Sequence, residues 1–185
     1  KIDSDANTVT TNFIGTNRLG TSALGNARFG IFIEGASNNV IGGNSYVRRN
    51  VISGNADIGV SISQLGATGN AVLGNYIGTN AAGLSAIGNG SHGIYISNGA
   101  SGNIIGGTDS GSSNVISGNV GYGVGIAGSL TSNNSVLGNL IGVDVSGTAK
   151  IANSSGVSIE FGAHDNTIGG TTTTARNILS GNTNF

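Results

Sequence analysis

The chain contains no cysteine, proline, tryptophan or methionine, and only 8% of its residues are charged and 5% aromatic. Without cysteine there are no disulfides, no thiolate metal sites and no redox chemistry on the chain's own sulfur. Charge is sparse and balanced, with seven basic against eight acidic residues scattered along the sequence. That pattern gives no footprint for a phosphate backbone or an anionic lipid surface, so nucleic acid is not expected as a partner. No apolar run approaches the roughly 18 to 20 residues that cross a bilayer, so membrane insertion is not expected. No signal peptide is recognisable and the chain starts at Lys1, which leads us to expect processing or excision from a longer protein.

What is present is an apolar fraction of 37% in 185 residues, with 35 glycines. That is enough for a continuous interior, and too apolar for a solvated tail. The interior must be built mainly from Ile, Val, Leu and Ala, and the β-branched members of that set favour strands.

The sequence repeats. NFIGTN from Asn12, NYIGTN from Asn75 and NLIGVD from Asn139 stand 63 and 64 residues apart. NVIGG from Asn39, NIIGG from Asn103 and NTIGG from Asn166 mark a second position of the unit. NVISGN at Asn50 and Asn114, with NILSGN at Asn177, marks a third. A shorter pattern, Gly-apolar-x-apolar, recurs at Gly30, Gly59, Gly93, Gly123 and Gly156, at steps of 29, 34, 30 and 33 residues. Each long unit is therefore two coils. Each coil reads as three short strands separated by Gly, Asn and Ser, which accept sharp turns.

Alternation within the strand from Ile31 points Ile31 and Ile33 to the core and Phe32 and Glu34 outward. Aligned coils give apolar columns, Val9, Ile41, Val72, Ile105, Val136 and Ile168 in one strand and Ile14, Ile52, Ile77, Ile116, Ile141 and Leu179 in another. Like residues at successive levels suit parallel strands stacked about 4.8 Å apart. Asparagine forms two further columns: Asn7, Asn39, Asn70, Asn103, Asn134 and Asn166, and Asn12, Asn50, Asn75, Asn114, Asn139 and Asn177. An amide at the same turn of each coil both donates and accepts, so these columns are expected to be ladders.

Loops are inserted on alternate coils. One kind is NSYVRR, TDSGSS or TTTTAR; the other is RLGTSALGNARF, AAGLSAIGNGSH or VSGTAKIANSS. The second kind carries Leu24, Ile87 and Ile151, expected to cover the outward column Phe13, Val51, Tyr76, Val115, Leu140 and Ile178 as a second small core.

These motifs resemble the right-handed parallel β-helix repeats of the pectin-lyase-like superfamily. They are closer still to the GNYIGT and NVISGN repeats of large bacterial secreted or surface proteins. The resemblance covers nearly the whole chain and implies an all-β right-handed parallel β-helix of about six coils, with residues 1–185 as a single domain and a segment of a longer array. It implies little about activity, because such repeats occur in polysaccharide lyases, epimerases, adhesins and tailspikes. The DPHE-like catalytic signature of the mannuronan epimerases is absent from this proline-free chain.

A lyase or glycosidase on this scaffold needs clustered carboxylates with a basic partner, or two carboxylates about 5 to 9.5 Å apart. Glu34 and Glu160 share one coil position but lie four coils apart, roughly 19 Å along the axis. Glu160, His164 and Asp165 form the densest acid and imidazole cluster, on an outward face and a polar turn where solvated groups are expected. Asp109 and Asp144 sit in Gly-rich loops that lack the several carboxylates of a calcium loop, and plain turns are the preferred reading. Arg28 and Asp57 are placed for an ion pair between adjacent coils, whereas Arg48, Arg49 and Arg176 lie too far apart for a basic patch. Phe32 and Tyr95 share an outward column with Ser61 between them, the one hint of a face on which sugar rings stack.

The sequence thus leads to a non-catalytic structural solenoid, extracellular or at the cell surface, without cofactor or metal. It is expected to self-associate through open ends, since the repeat starts and stops in mid-pattern. The alternative is a carbohydrate-active β-helix with glycan as its partner.

Overall fold

The computed structural model describes all residues, 1–185. Its first coil is partial, with Ile2 bridged to the next coil, then β1 (Thr8–Val9) and β2 (Phe13–Ile14). Five complete coils follow. They are β3 (Ile31–Glu34), β4 (Val40–Gly42) and β5 (Val51–Ile52), then β6 (Val60–Ser63), β7 (Ala71–Leu73) and β8 (Tyr76–Ile77). Next come β9 (Ile94–Ser97), β10 (Ile104–Gly106) and β11 (Val115–Ile116), and β12 (Tyr122–Ala127), β13 (Ser135–Leu137) and β14 (Leu140–Ile141). The last coil is β15 (Ser155–Glu160), β16 (Thr167–Ile168) and β17 (Ile178–Leu179).

Every third strand pairs, and every strand pairing is parallel. The result is three sheets: a first of β3, β6, β9, β12 and β15, a second beginning with β1, and a third beginning with β2. The chain is thus an all-β parallel solenoid. The sequence pattern led to about six coils; the structure has five full turns, because the leading level contributes only Ile2 to the first sheet.

The interior is a set of aliphatic columns. Ile33, Ile62, Ile96 and Ile126 line the first sheet, Ile41, Val72, Ile105 and Val136 the second, and Ile52, Ile77, Ile116 and Ile141 the third, all without solvent exposure. The alternation read from the sequence holds in β3, where Ile31 and Ile33 are buried while Phe32 and Glu34 face outward, half-exposed. Short strands suffice because each one is hydrogen-bonded to the coils above and below, and burial of a full Ile side chain contributes about 1.5 to 3 kcal/mol.

The corners are made by residues that tolerate left-handed backbone. The residue before each asparagine of the first ladder has positive φ, at Asn38, Asn133 and Asp165 among others. Asp165 is therefore a corner residue. The NSYVRR and TTTTAR loops each form a single 3-10 turn, Tyr46–Arg48 and Thr173–Ala175.

The second small core exists, but with a different cover. Val51, Tyr76 and Val115 are buried together, packed by Ala81 and Leu140. The Arg49 guanidinium lies 3.9 Å from the centre of the Tyr76 ring, and its Nε donates to the Gly74 carbonyl. Leu24 is 74% exposed, and Ile87 and Ile151 lie outside the cluster. The reason is local: each long loop folds back as a tight hairpin, bridging Thr16 to Ala23, Thr79 to Ala86 and Val143 to Lys150. In the loop between β8 and β9 that hairpin lays Ala81, from its near arm, on the core.

Candidate functional site

The two asparagine columns read from the sequence are continuous ladders. In the first, Nδ2 of Asn7, Asn39, Asn70, Asn103 and Asn134 each donates to Oδ1 of the asparagine in the next coil, ending at Asn166, at 2.9 to 3.0 Å. In the second, Asn12, Asn50, Asn75, Asn114 and Asn139 do the same up to Asn177, at 2.9 to 3.2 Å. The same Oδ1 also accepts the backbone N–H of the preceding asparagine, as from Asn50 to Asn75. The second Nδ2 proton goes to a main-chain carbonyl one coil back, Ile41 for Asn75 and Ala67 for Asn103. Each inner amide is thereby saturated, and no buried side-chain polar atom in the structure lacks a partner.

A third ladder escaped the sequence reading. Asn26, Asn55, Asn89, Asn119, Asn153 and Asn182 are joined in the same way at 2.9 to 3.0 Å. The signal was there, as an asparagine four residues before Gly30, Gly59, Gly93 and Gly123 and three before Gly156.

The outer face of the first sheet carries the side chains singled out for chemistry. Phe32, Ser61, Tyr95, Gly125 and Ser158 are in register across five strands, as are Glu34, Ser63, Ser97, Ala127 and Glu160. Phe32 and Tyr95 belong to separate aromatic groups. Phe32 packs against Phe29 at 5.1 Å with a tilt of 52°, and the Arg28 guanidinium covers Phe29. Tyr95 stacks on His92 at 4.8 Å, and His92 stacks in turn on Tyr122 at 4.7 Å.

Two glycines make this pile fit. A Cβ at Gly125 would lie 2.6 Å from the Tyr95 ring, and one at Gly121 would lie 2.6 Å from His92 Nδ1. His92 Nδ1 accepts the backbone N–H of Tyr122 at 3.0 Å. Burial holds the imidazole below its ordinary proton affinity, against the pull of the Glu160 and Asp57 charges. Burial likewise raises the Tyr95 phenol, with Glu160 adding to the effect.

The carboxylates disperse. Glu160 accepts from the Tyr122 hydroxyl at 3.3 Å, while His164 pairs with Asp165 at 2.8 Å on the exposed turn. Glu34 binds Lys1, raising the Lys1 ammonium's proton affinity, and accepts from Gln64 at 2.7 Å. Arg28 and Asp57 make no ion pair; the guanidinium is drawn to Phe29, and the two residues meet only through the main chain, Asp57 N–H to Arg28 carbonyl. Asp109 lies exposed in its turn.

Asp144 has a defined task. Its Oδ1 accepts from Ser146 Oγ and from the N–H groups of Thr148 and Ala149. These bonds, that from Ser146 first, hold its carboxyl below the ordinary range. Asn17 and Asn80 do the same in the equivalent loops, accepting from Leu19 and Thr21 and from Leu84 and Ser85. A neutral amide in the same role makes Asp144 a loop anchor. No three His, Asp or Glu side chains gather into a metal-binding group.

The fold and its ladders define a parallel β-solenoid repeat protein. No protein-family model, curated protein or solved structure matches the chain.

Proposed function

We propose that the chain is an architectural module: a rigid, non-catalytic solenoid segment of a bacterial secreted or cell-surface protein, serving as stalk, adhesin shaft or subunit of a filament that grows end to end. One observation carries this reading. Three asparagine ladders run through successive coils without a break, so the interior of no coil is set apart from that of its neighbours. The resemblance to the β-helix repeats of the pectin-lyase-like superfamily supports membership of it, and the closer likeness to the GNYIGT and NVISGN repeats of large bacterial secreted or surface proteins supports a surface location. Negative-stain electron microscopy and sedimentation at rising concentration test it. Straight rods, lengthening with concentration or with added flanking coils, are the expected result; flexible or collapsed particles overturn it.

A second reading is a carbohydrate-active module, and the half-exposed Phe32 and Tyr95 in register on one face favour it. A glycan array and a polysaccharide-lyase screen separate the two: binding abolished by Phe32→Ala, or bond cleavage, replaces the architectural reading.

A further inference from the structure

The Tyr95–His92–Tyr122 pile is the one place where an imidazole lies stacked between two aromatic rings. A backbone N–H is always a donor, so the bond from Tyr122 N–H at 3.0 Å requires a lone pair on His92 Nδ1. The ring in place is thus the neutral tautomer protonated at Nε2. An imidazolium carries hydrogen on both nitrogens, and its Nδ1–H would face the Tyr122 N–H head on. Gly121 and Gly125 leave room for the neutral pile and bring the tyrosines close on both sides.

We propose that His92 is an acid-released wedge: neutral, it locks Tyr95 and Tyr122 into a closed aromatic surface, and on protonation it leaves the pile and opens a slot between the two tyrosines. The groups facing it are Tyr95 on β9, Tyr122 on β12, Glu160 on β15 through the Tyr122 hydroxyl, and Asp57 on the corner before β6. Both carboxylates favour the cation. The loop that carries His92 is tied to its neighbours at Gly90 and Ser91 by main-chain bonds. Release is therefore a local event, and the core columns stay in place. The sign follows from linkage: the lock is complete above the ordinary imidazole value of about 6.5 and is lost as pH falls through the lower value of the folded state.

The test is NMR of the intact chain from pH 7.5 to 4. The His92 ring protons and the tyrosine ring resonances are expected to move together. Protection of the Tyr122 amide should fall about tenfold for each pH unit by which folding lowers the histidine's midpoint. His92→Asn, whose Oδ1 accepts the Tyr122 N–H without titrating, should hold that protection flat across the range. Tyrosine resonances that stay fixed while His92 titrates overturn the proposal, as does the same acid loss in His92→Asn. Should that variant fail to fold, the wild-type titration decides alone.

Discussion

Asn70 delivers both its backbone N–H and its Nδ2 to one atom, Oδ1 of Asn103, at 2.9 Å each. Asn103 passes the arrangement on to Asn134 and returns its second Nδ2 proton to the Ala67 carbonyl. Only a short side chain with an acceptor and two donors closes this pattern. Aspartate lacks the donors, and glutamine is one methylene too long.

Removing one rung should therefore cost more than an average side-chain hydrogen bond. Asn103→Ala leaves the buried Asn70 N–H and one Asn70 Nδ2 proton without an acceptor and takes one of two donors from the Ala67 carbonyl and from Asn134 Oδ1, and we expect it to destabilise the fold by at least about 2 kcal/mol in urea or guanidinium titrations. Asn103→Asp should be worse at pH 7, where a buried carboxylate faces carbonyl oxygens. It should recover partly toward pH 4, because the protonated acid regains a donor.

Position along the stack should grade the cost of core truncation. Ile96 is fully buried in a middle coil, whereas Leu179 in the last coil is 47% exposed. Ile96→Ala should cost about 2 to 5 kcal/mol by leaving a cavity between two intact coils. Leu179→Ala should cost well under half as much, and similar losses at the two positions in parallel denaturation curves would show that the columns do not carry the stability.

Asp144 offers a test of the loop anchor. Asp144→Asn should leave the loop intact, because Asn17 and Asn80 already perform the task with an amide. Asp144→Ala should release the Thr148 and Ala149 amides to exchange. In the native chain the depressed carboxyl stabilises the loop above the ordinary carboxylate value of about 3.9, and that contribution is lost as pH falls through the lower folded value. The acid-dependent exchange of these two amides should vanish in Asp144→Asn.

Arg49 should resist even conservative exchange. Its flat guanidinium covers Tyr76 while Nε holds the Gly74 carbonyl. A lysine keeps the charge and loses both the stacking and the directed bond. Arg49→Lys should lower stability by about 0.5 to 1 kcal/mol and increase quenching of Tyr76 fluorescence by added acrylamide.

Most of the fold was legible because the same residue must recur wherever the same environment recurs. The Ile52, Ile77 and Ile116 column and the Asn50, Asn75 and Asn114 ladder were read from spacing alone and stand as expected. What escaped lies outside those strand motifs. The Asn55 to Asn89 rung sits in the turns just before the strand glycines, and the hairpin folding of the long loops passes the cover of the second core to Ala81 and Arg49. The His92 pile was illegible for a different reason, since a feature occurring once in a repeat leaves no column. It is betrayed only by Gly121 and Gly125, whose missing side chains make sense once the rings are seen above them.

The one-way hand-off of protons along the ladders gives the molecule a north and a south. Asn7, Asn12 and Asn26 donate a rung and accept none, while Asn166, Asn177 and Asn182 accept a rung and donate none. Two identical poles brought face to face would set oxygen against oxygen or hydrogen against hydrogen. Ladder bonds between two identical poles are thereby unavailable, and any coil that extends the ladders at either end must point the same way along the rod.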